Sequence, residues 1–453
     1  MLLLNIKANS IQALKHSLTP KQIVELLNKR IIGQEDAKKT VAIALRNRFR
    51  RAALTDDIKA DIIPKNILMV GPTGVGKTEI ARSLAKILNA PFIKVEATKY
   101  TEVGYVGKDV ESIIKDLVEV AVKNTKLNKR KQYIEKASEL ADKKIMIELV
   151  GPTPSQETYK KFKDQLDSGS LDEKIIEIMV EVPQAPLGGN FDIPGGSGQI
   201  GVGAISLGDM FGKAFANKKK KSVTIAEAKK ILTEESISEL MEDDDIAAEA
   251  IKDAEENGIV FIDEIDKIAF SNNAKGGEVS REGVQRDLLP IVEGTIVNTK
   301  HGLVKTDYML FIASGAFHSS KPSDLSPELQ GRFPVRVNLK SLSIDDYKRI
   351  LIEPENSMVK QYTALFETEE VKIDITPEAI DYIAKLTDRL NKEIEDLGAR
   401  RLISVVEHLF TELNFNAPEL NQSEKSVTID QVYIEKHLSE LIKLHKDLRN
   451  SLI

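Results

Sequence analysis

A buried-strand pattern that runs directly into a glycine-rich loop is the feature that most constrains this chain. Residues 66–70 form an apolar run with the length of a strand buried on both faces. Residues 71–78 read GPTGVGKT and match the pattern Gly-x-x-x-x-Gly-Lys-Thr. A helical pattern follows, and its apolar face is formed by Ile80, Leu84, Ile87 and Leu88. Strand, loop and helix in this order predict an α/β fold with an anion site where the loop meets the helix.

The loop residues predict that this anion is the phosphate chain of a nucleotide. Glycines let the backbone turn its N–H groups inward at the start of a helix, where anions bind. Lys77 can reach the β- and γ-phosphates, and the Thr78 hydroxyl can bind Mg²⁺. A glycine-rich turn with a surface lysine is the simpler alternative, but the full pattern lies between the right elements. The expected cofactors are therefore ATP and Mg²⁺.

A second motif supplies the acidic residues that such a site needs. Residues 259–262 are apolar and are followed by Asp263 and Glu264. At the end of a buried strand, Asp263 can hold the metal, directly or through water. Glu264 can orient and deprotonate an attacking water. An acidic strand end on the surface is the alternative, and the phosphate loop upstream favours the catalytic interpretation.

The distance between the two motifs indicates an insertion. Lys77 and Asp263 are 263 − 77 = 186 positions apart, whereas two βαβ units take about 60 residues. We therefore predict an inserted, largely helical domain at about 124–250. Residues 123–180 have the pattern of a helix rich in lysine and glutamate, and residues 187–212 are rich in glycine.

Two clusters of basic residues have alternative interpretations. Residues 218–221 are four consecutive lysines, for which we favour a solvated helix start over a nucleic-acid contact. A helix from about Asp36 ends in a basic segment that we attribute to the helix dipole rather than to a nucleic-acid patch. Its arginines are Arg46, Arg48, Arg50 and Arg51. The net charge of −6 and the pI near 5.8 give no global basic field for nucleic acid.

The composition fits a soluble protein of two or three domains, because 453 residues with 42% apolar content can bury a sizeable core. The absence of cysteine excludes disulfides and thiolate metal sites. Residues 1–4 are apolar, but Asn5 and Lys7 follow too early for a signal-peptide core. No apolar run reaches the length of a membrane span. These patterns predict a cytoplasmic protein.

The last third of the chain begins with strand patterns and continues with helices. Residues 308–312 and 335–339 have strand patterns, whereas the segment from Ser343 reads as fully helical until a short strand or cap at 427–430. Helix N-caps followed by proline are predicted at Ser326 and Thr376.

Together these stretches resemble the AAA+ ATPases and, within them, the protein unfoldases of the Clp/Hsp100 type. The matching stretches are residues 30–34, 72–79, 104–107, 259–266, 327–332 and 397–401. The resemblance covers essentially the whole chain outside the insertion. It implies a P-loop AAA+ domain with a parallel sheet at 1–123 and 251–338, an inserted helical domain at 124–250 and a C-terminal helical domain at 339–453.

The resemblance also implies roles for individual residues in nucleotide binding. Ile32 would contact the adenine, and Asp263 would bind Mg²⁺ together with Thr78. The phosphates would be cradled by Gly74, Val75, Gly76, Lys77, Thr78 and Glu79. Glu328 lies in the nucleotide-contacting Pro-Glu-Leu segment of the family. Many AAA+ proteins place Asn or Thr at the first sensor position, whereas the strand here ends at Ser314.

Three residues would carry the chemistry and its coupling to the rest of the chain. Glu264 would activate water. Arg332 would be an arginine finger that reaches into the site of a neighbouring subunit, which requires a ring, and the family forms hexamers. Arg400 would be the second sensor, reporting the nucleotide state to the C-terminal helical domain.

The resemblance further implies contacts with protein substrates and with a peptidase. The pore loop would be Gly104, Tyr105, Val106 and Gly107. In a ring, the aromatic side chain of Tyr105 would face the central channel and grip an unfolded chain. The apolar tip Leu452-Ile453 would dock in a separate peptidase, and no nucleic-acid or membrane partner is expected. An AAA+ nucleic-acid motor and an unfoldase that serves another peptidase are the alternatives. Residues 1–17 precede the usual start of the family.

Overall fold

The computed structural model describes residues 18–54, 58, 62, 65–101, 108–181, 218–242, 245–269, 279–421 and 425–438. Four of the predicted features lie outside the described residues. They are the N-terminal extension 1–17, the pore loop 104–107, the glycine-rich stretch 187–212 and the tip Leu452-Ile453.

The helices and strands follow one another in the chain in a mixed order. They are α1 (Pro20–Asn28), α2 (Glu35–Ala52), β1 (Ile67–Val70), α3 (Lys77–Leu88), β2 (Phe92–Glu96), α4 (Ser112–Val150), α5 (Gln156–Asp167), β3 (Ile175–Glu181), β4 (Lys218–Thr224), α6 (Ile225–Glu242), α7 (Ile246–Asn257), β5 (Ile259–Asp263), α8 (Val279–Glu293), β6 (Ile296–Thr299), β7 (Gly302–Lys305), β8 (Leu310–Gly315), α9 (Pro327–Arg332), β9 (Val335–Asn338), α10 (Ile344–Ile352), α11 (Met358–Glu367), β10 (Lys372–Ile375), α12 (Pro377–Glu393), α13 (Ala399–Asn416) and β11 (Ser426–Ile429).

The chain divides into two compact units. One comprises Met1–Asn124 with Ala247–Ile453, and the other comprises Thr125–Ile246. The C-terminal residues from 339 onward belong to the first unit in this division. The domain boundaries proposed from the sequence stay predictions.

A five-stranded parallel sheet organises the first unit, with the strand order β2-β5-β8-β1-β9. β1 pairs with β8 on one side and with β9 on the other, so that Ile67 lies between Ile312 and Val335. Every residue of β8 is buried, as are the first four of β5. Continuous apolar strands are typical of a parallel sheet covered on both faces. The predicted α/β fold class is confirmed.

One apolar core joins this sheet to helices from both ends of the chain. Ile67 and Met69 of β1 belong to the same cluster as Leu45 of α2, Leu84 of α3 and Phe410 of α13. Capping residues fix where three of the helices begin, two of them at the predicted positions Ser326 and Thr376. The caps that accept a hydrogen bond from a backbone N–H in the first turn are Thr19, Ser326 and Thr376, each followed by proline.

The second unit is not as helical as the sequence pattern indicated. The helical interpretation of residues 123–180 is confirmed at α4 and α5, but it misses the break at Gly151 and is wrong at β3. Residues 218–221 do not start a helix but form β4, which pairs antiparallel with β3. Pairing with β3 stabilises the lysine-rich strand, since Lys220 Nζ lies 3.4 Å from Oε2 of Glu177 on β3 and Val223 is buried.

Two further strand pairs form, and of their four strands only β11 was predicted, as the strand alternative at 427–430. β6 and β7 form an antiparallel hairpin, and β10 pairs in parallel with β11. The fully helical interpretation after Ser343 is therefore wrong at β10. Strands as short as these carry little periodic signal, and each is stabilised by pairing with another strand.

The arginines near the end of α2 pack against backbone rather than simply complementing the helix dipole. The guanidinium of Arg48 donates to the carbonyl oxygens of Gly258 at 3.3 Å and Tyr308 at 3.0 Å, and also to that of Glu256. Arg51 lies over the ring of Tyr308, 3.6 Å from its centroid. The helix-dipole interpretation therefore misses the main role of Arg48, which ties α2 to the segments before β5 and β8.

Within the described ranges, no helix combines sufficient length with sufficient apolar character to cross a bilayer.

Candidate nucleotide-binding site

A cleft of about 1100 Å³ lies at the carboxyl edge of the parallel sheet. Its lining comes from the loop between β1 and α3, from β2, from the segments after β5 and β8 and from the start of α13. Ligand sites in open α/β sheets form at this edge, because the loops after the strands converge there. The volume suffices for a nucleotide.

The loop between β1 and α3 requires glycine for two separate reasons. Gly74 and Gly76 have φ values of +74° and +103°, which side-chain-bearing residues rarely adopt. A Cβ on Gly74 would also lie 2.0 Å from the carbonyl oxygen of Leu397. The eight-position pattern requires glycine at position 76 but allows any residue at position 74. The need for glycine at position 74 comes from its contact with Leu397 in the tertiary structure. Val75 points away from the cleft and is buried.

Lys77 begins α3 with its ammonium group inside the cleft. The ammonium donates to the carbonyl oxygens of Gly71 at 2.5 Å and Pro72 at 2.7 Å. Burial lowers the pKa of Lys77 below its ordinary value, and the charge of Arg400 lowers it further, against the opposing effect of carboxylates led by Asp263. The lysine and the acidic strand end therefore act on each other across the cleft.

Asp263 is the best-connected carboxylate in the cleft. It accepts hydrogen bonds from Ser314 Oγ at 2.6 Å and from the Glu264 backbone N–H at 3.1 Å, and its Oδ2 lies 2.9 Å from Lys94 Nζ. Burial by itself raises the pKa of Asp263, but the bonds from Ser314 and Lys94 outweigh it, and the pKa lies below the ordinary value. Thr78 Oγ1 lies 3.4 Å from the same Oδ2. The loop and the strand end thus converge on one charged oxygen.

Glu264 follows in a backbone conformation that only the surrounding structure can enforce. Its φ is +57°, in the left-handed region, which is uncommon for a residue with a side chain. Such outliers concentrate at functional sites. Its carboxylate lies in the cleft, 3.1 Å from Lys267 Nζ. Asp263 and Glu264 thus have different partners, so the adjacent carboxylates can serve different purposes.

The start of α13 lies directly against the phosphate loop. The backbone N–H of Ala399 donates to the carbonyl oxygen of Gly74 at 3.0 Å. Arg400, the next residue, lines the cleft. Glu79 also lines it and accepts from Ser83 Oγ at 3.2 Å. Predicted residues from two distant parts of the chain are therefore brought together here.

Besides Val75, three predicted residues do not line the cleft. Ile32 is buried, and Glu328 is exposed near the start of α9; neither belongs to the cleft lining. Arg332, at the end of α9, is also absent from the lining. Its Nε and Nη2 lie 2.9 Å and 2.8 Å from Oε1 of Glu293. An arginine outside its own cleft is what a finger acting on a neighbour would require.

Sequence reasoning missed Lys94, the residue that neutralises Asp263. It lies in the middle of β2, which pairs with β5 so that Glu96 is opposite Asp263. A charged residue inside an otherwise apolar strand run was the available signal. Ser314, which the resemblance to AAA+ proteins placed at the first sensor position, is fully buried and donates a hydrogen bond to Asp263.

Comparison with known proteins identifies the family. Residues 67–141 match the ATPase family associated with various cellular activities (AAA), and residues 190–336 match the AAA domain (Cdc48 subfamily). An ATP-dependent protease ATPase subunit HslU from Nitrobacter hamburgensis is 52% identical over 426 residues, which are 94% of this chain and 97% of that protein. The chain belongs to the HslU family. HslU proteins from Ruegeria sp. and Rhodopseudomonas palustris are 50% and 52% identical over 427 residues, with the same coverage.

Membership of the HslU family confirms the resemblance to AAA+ ATPases that the motifs predicted. The chain is accordingly an ATPase that binds ATP, and its relatives are named as ATPase subunits of an ATP-dependent protease. The nucleic-acid motor that the sequence left open is not favoured by these HslU relatives.

Proposed function

We propose that this chain couples ATP hydrolysis to the unfolding of substrate proteins and to their transfer into an HslV-type peptidase. The observation that carries the proposal is the approach of Thr78 Oγ1 to Asp263 Oδ2 at 3.4 Å, beside the ammonium of Lys77. A phosphate loop and an acidic strand end in one cleft are the parts that phosphoryl transfer needs. Family membership supports the same activity.

The loop and the start of α3 bind the phosphates in this proposal. Backbone N–H groups from Gly74 to Glu79 and the ammonium of Lys77 provide the positive field. Mg²⁺ fits the donors present, because Thr78 and Asp263 offer the hard oxygen ligands that it prefers and Asp263 stays ionised. The metal would supply neutralisation of charge that develops on the phosphate oxygens.

Glu264 is the proposed general base. Glu264 lines the cleft, and its carboxylate pairs with Lys267 rather than with Lys94 or Ser314, the partners of Asp263. It would accept a proton from the attacking water while Asp263 remains committed to the metal. Arg400 would contact the nucleotide from the start of α13, so that hydrolysis displaces this helix.

A ring completes the site in this proposal. Arg332 is bonded to Glu293 outside the cleft of its own chain, and would reach the phosphates of a neighbouring subunit. A homohexamer places every Arg332 next to such a site. Arginine fingers are typically worth ~10³–10⁵ in rate.

The substrate and peptidase contacts are proposed on residues outside the described ranges. Tyr105, with Gly104, Val106 and Gly107, would grip unfolded protein in the central channel. Leu452 and Ile453 would dock in the peptidase. These roles rest on the motif pattern and the family.

The test measures degradation of a folded fluorescent protein by an HslV peptidase mixed with this chain and ATP. Wild type should support degradation, and Glu264→Gln should abolish it while retaining ATP binding. ATP turnover by the variant should fall by about 10²–10⁴, the usual contribution of a general base. Binding is measured with a fluorescent ATP analogue, and turnover by phosphate release.

Glu395→Gln is the matched control, because Glu395 also lines the cleft but lies between α12 and α13. It should hydrolyse ATP at close to the wild-type rate. Normal turnover by Glu264→Gln would exclude this residue as the base. Failure of the wild type to degrade the substrate with the peptidase would contradict the proposed function.

A further inference from the structure

A buried polar network lies behind the point where α13 meets the phosphate loop. At its centre is Asn391, near the end of α12, which is 6% exposed. Its Nδ2 donates to the hydroxyl of Tyr347 at 2.7 Å and to the carbonyl oxygen of Gly398 at 3.3 Å. Its Oδ1 accepts from the backbone N–H of Leu397 at 3.2 Å. The side-chain amide of Asn391 therefore bonds the N–H of Leu397 and the carbonyl oxygen of Gly398, two neighbouring residues of one turn.

The amide N–H groups and the oxygen of Asn391 all have hydrogen-bond partners, as their burial requires. Leaving a buried amide without hydrogen-bond partners costs more folding free energy than one hydrogen bond normally contributes. A buried amide therefore needs partners at its N–H groups and its oxygen. Both N–H donors and one oxygen lone pair of Asn391 are used. Tyr347 is 1% exposed and anchors the other end of the network on α10. The turn is thereby held against two helices of the apolar core.

The turn in question touches the phosphate loop through backbone atoms. A Cβ on Gly398 would lie 2.8 Å from the carbonyl oxygens of both Thr73 and Gly74. In the opposite direction, a Cβ on Gly74 would meet the Leu397 carbonyl oxygen at 2.0 Å. The Ala399 N–H also donates to Gly74 O. Since no side chain separates the two segments, displacement of the turn displaces the loop.

We propose that Asn391 is a positioning residue for the ATP site. It fixes the 397–398 turn, and through that turn it sets both the conformation of the loop at Gly74 and the location of Arg400. Asn391 is absent from the cleft lining and so does not touch the substrate itself. The inference rests on the ATP site proposed above and adds a residue that the phosphate-loop and sensor motifs do not contain.

A purely structural role makes a different prediction, and Thr387 provides the comparison. Thr387 lies one turn earlier on α12 and is 0% exposed. Its hydroxyl donates to the Ile383 carbonyl oxygen at 2.8 Å, within the same helix. Thr387→Val removes a buried hydrogen bond of the same core without changing a partner of the turn.

The experiment measures binding of a fluorescent ATP analogue and steady-state ATP turnover for four proteins. They are the wild type, Asn391→Leu, Asn391→Asp and Thr387→Val. Asn391→Leu should weaken nucleotide binding roughly tenfold, a change of about 1.4 kcal/mol. Thr387→Val should lower the unfolding temperature but keep binding within about twofold of the wild type. Asn391→Asp retains the acceptor for Leu397 N–H and loses the donor to Gly398 O, so its binding should be intermediate.

A double-mutant cycle with Arg400→Ala separates positioning from stability. If Asn391 acts through the turn, Asn391→Leu should cost less binding in the Arg400→Ala background than in the wild type, because part of the positioned group is already gone. Full additivity, or binding by Asn391→Leu equal to that of Thr387→Val, would overturn the inference. If Asn391→Leu does not fold, wild-type binding by Asn391→Asp overturns it. Failure of the wild type to bind nucleotide would instead contradict the ATP site.

Discussion

Gly74 illustrates at the scale of one residue how tertiary structure adds constraints to a motif. The phosphate-loop pattern accepts any residue there, yet the carbonyl oxygen of Leu397 occupies the space of a side chain. The positive φ of +74° adds a second penalty. No inspection of the eight-position pattern could reveal the contact, because Leu397 lies more than 300 positions further along the chain.

Gly74→Ala should therefore reduce both stability and nucleotide binding. We expect it to cost more than about 1 kcal/mol of unfolding free energy, since alanine is strained at positive φ and the Leu397 backbone must move. Thermal unfolding and binding of a fluorescent ATP analogue measure the two effects. Gly331→Ala in α9 is the control, because its Cβ would meet nothing within 4 Å. A Gly74→Ala variant as stable as Gly331→Ala would contradict the assigned contact.

Asp263 predicts a pH dependence with a definite sign. Its pKa is lowered in the folded protein, as the bonds from Ser314 and Lys94 outweigh burial. The ionised Asp263 carboxylate stabilises the folded protein at pH values above the pKa of aspartate in the unfolded chain, near 3.8. This contribution is lost as the pH falls through the lower pKa that Asp263 has in the folded protein. Asp263→Asn should accordingly destabilise the protein more at pH 7 than at about pH 3.

Denaturant unfolding of both proteins across this pH range measures the difference. Asp374→Asn, at an exposed position on β10, is the control and should show a smaller pH-dependent difference. A destabilisation by Asp263→Asn that is constant from pH 7 to pH 3 would show that the charge of this carboxylate contributes nothing.

At the scale of elements, the sequence predicted what its local signals encode. β1 and β5 are continuous apolar runs that end at a recognisable motif, α3 has a periodic apolar face, and α9 and α12 carry a capping residue followed by proline. β4 and β10 could not be recognised, because each is stabilised by a partner strand rather than by its own pattern. The candidate site shows the same limit. The sequence motif predicts Asp263, but its ion pair with Lys94 depends on the pairing of β2 with β5, which the sequence does not reveal.

The arginines of α2 give an element-scale prediction. Arg48 donates to backbone carbonyls just before β5 and β8, and the compact ammonium of a lysine does not reproduce the planar fork of donors that spans these acceptors. Arg48→Lys should therefore lower the free energy of unfolding by about 1–3 kcal/mol, as unsatisfied polar groups remain. Arg50 is exposed, and among the contacts described its guanidinium donates a hydrogen bond only to Asn47. Arg50→Lys should therefore change the free energy of unfolding by less than about 0.5 kcal/mol.

Chemical denaturation of the two single variants compares residues two positions apart on one helix. Equal effects would restore the helix-dipole interpretation, since both side chains would then act only through their charge near the helix end.

At the scale of the whole molecule, the location of Arg332 predicts complementation between inactive subunits. Arg332→Ala and Glu264→Gln should each be nearly inactive alone. In a mixed ring, a subunit that retains Glu264 can lie beside one that retains Arg332. Random mixing of equal amounts makes about a quarter of the interfaces of this kind, given a head-to-tail ring. ATP turnover should therefore recover on mixing.

Phosphate release is measured before and after the two variants are mixed and allowed to exchange subunits. Arg336→Ala, at an exposed position of β9, serves as the control and should be active alone. If Arg332 acted within its own chain, every site in the mixture would lack one of the two groups, and turnover would stay at the sum of the separate variants.

The pairing of β10 with β11 has a mechanical consequence for the helices that the two strands enclose. The register Lys372↔Ser426 to Ile375↔Ile429 joins the chain before α12 to the chain after α13. The two ends of this segment cannot separate without breaking the strand pair. We therefore expect motion at the head of α13 to rotate the enclosed segment as one rigid block instead of being absorbed by bending. Whatever follows Ile429 would then be carried along by each turnover.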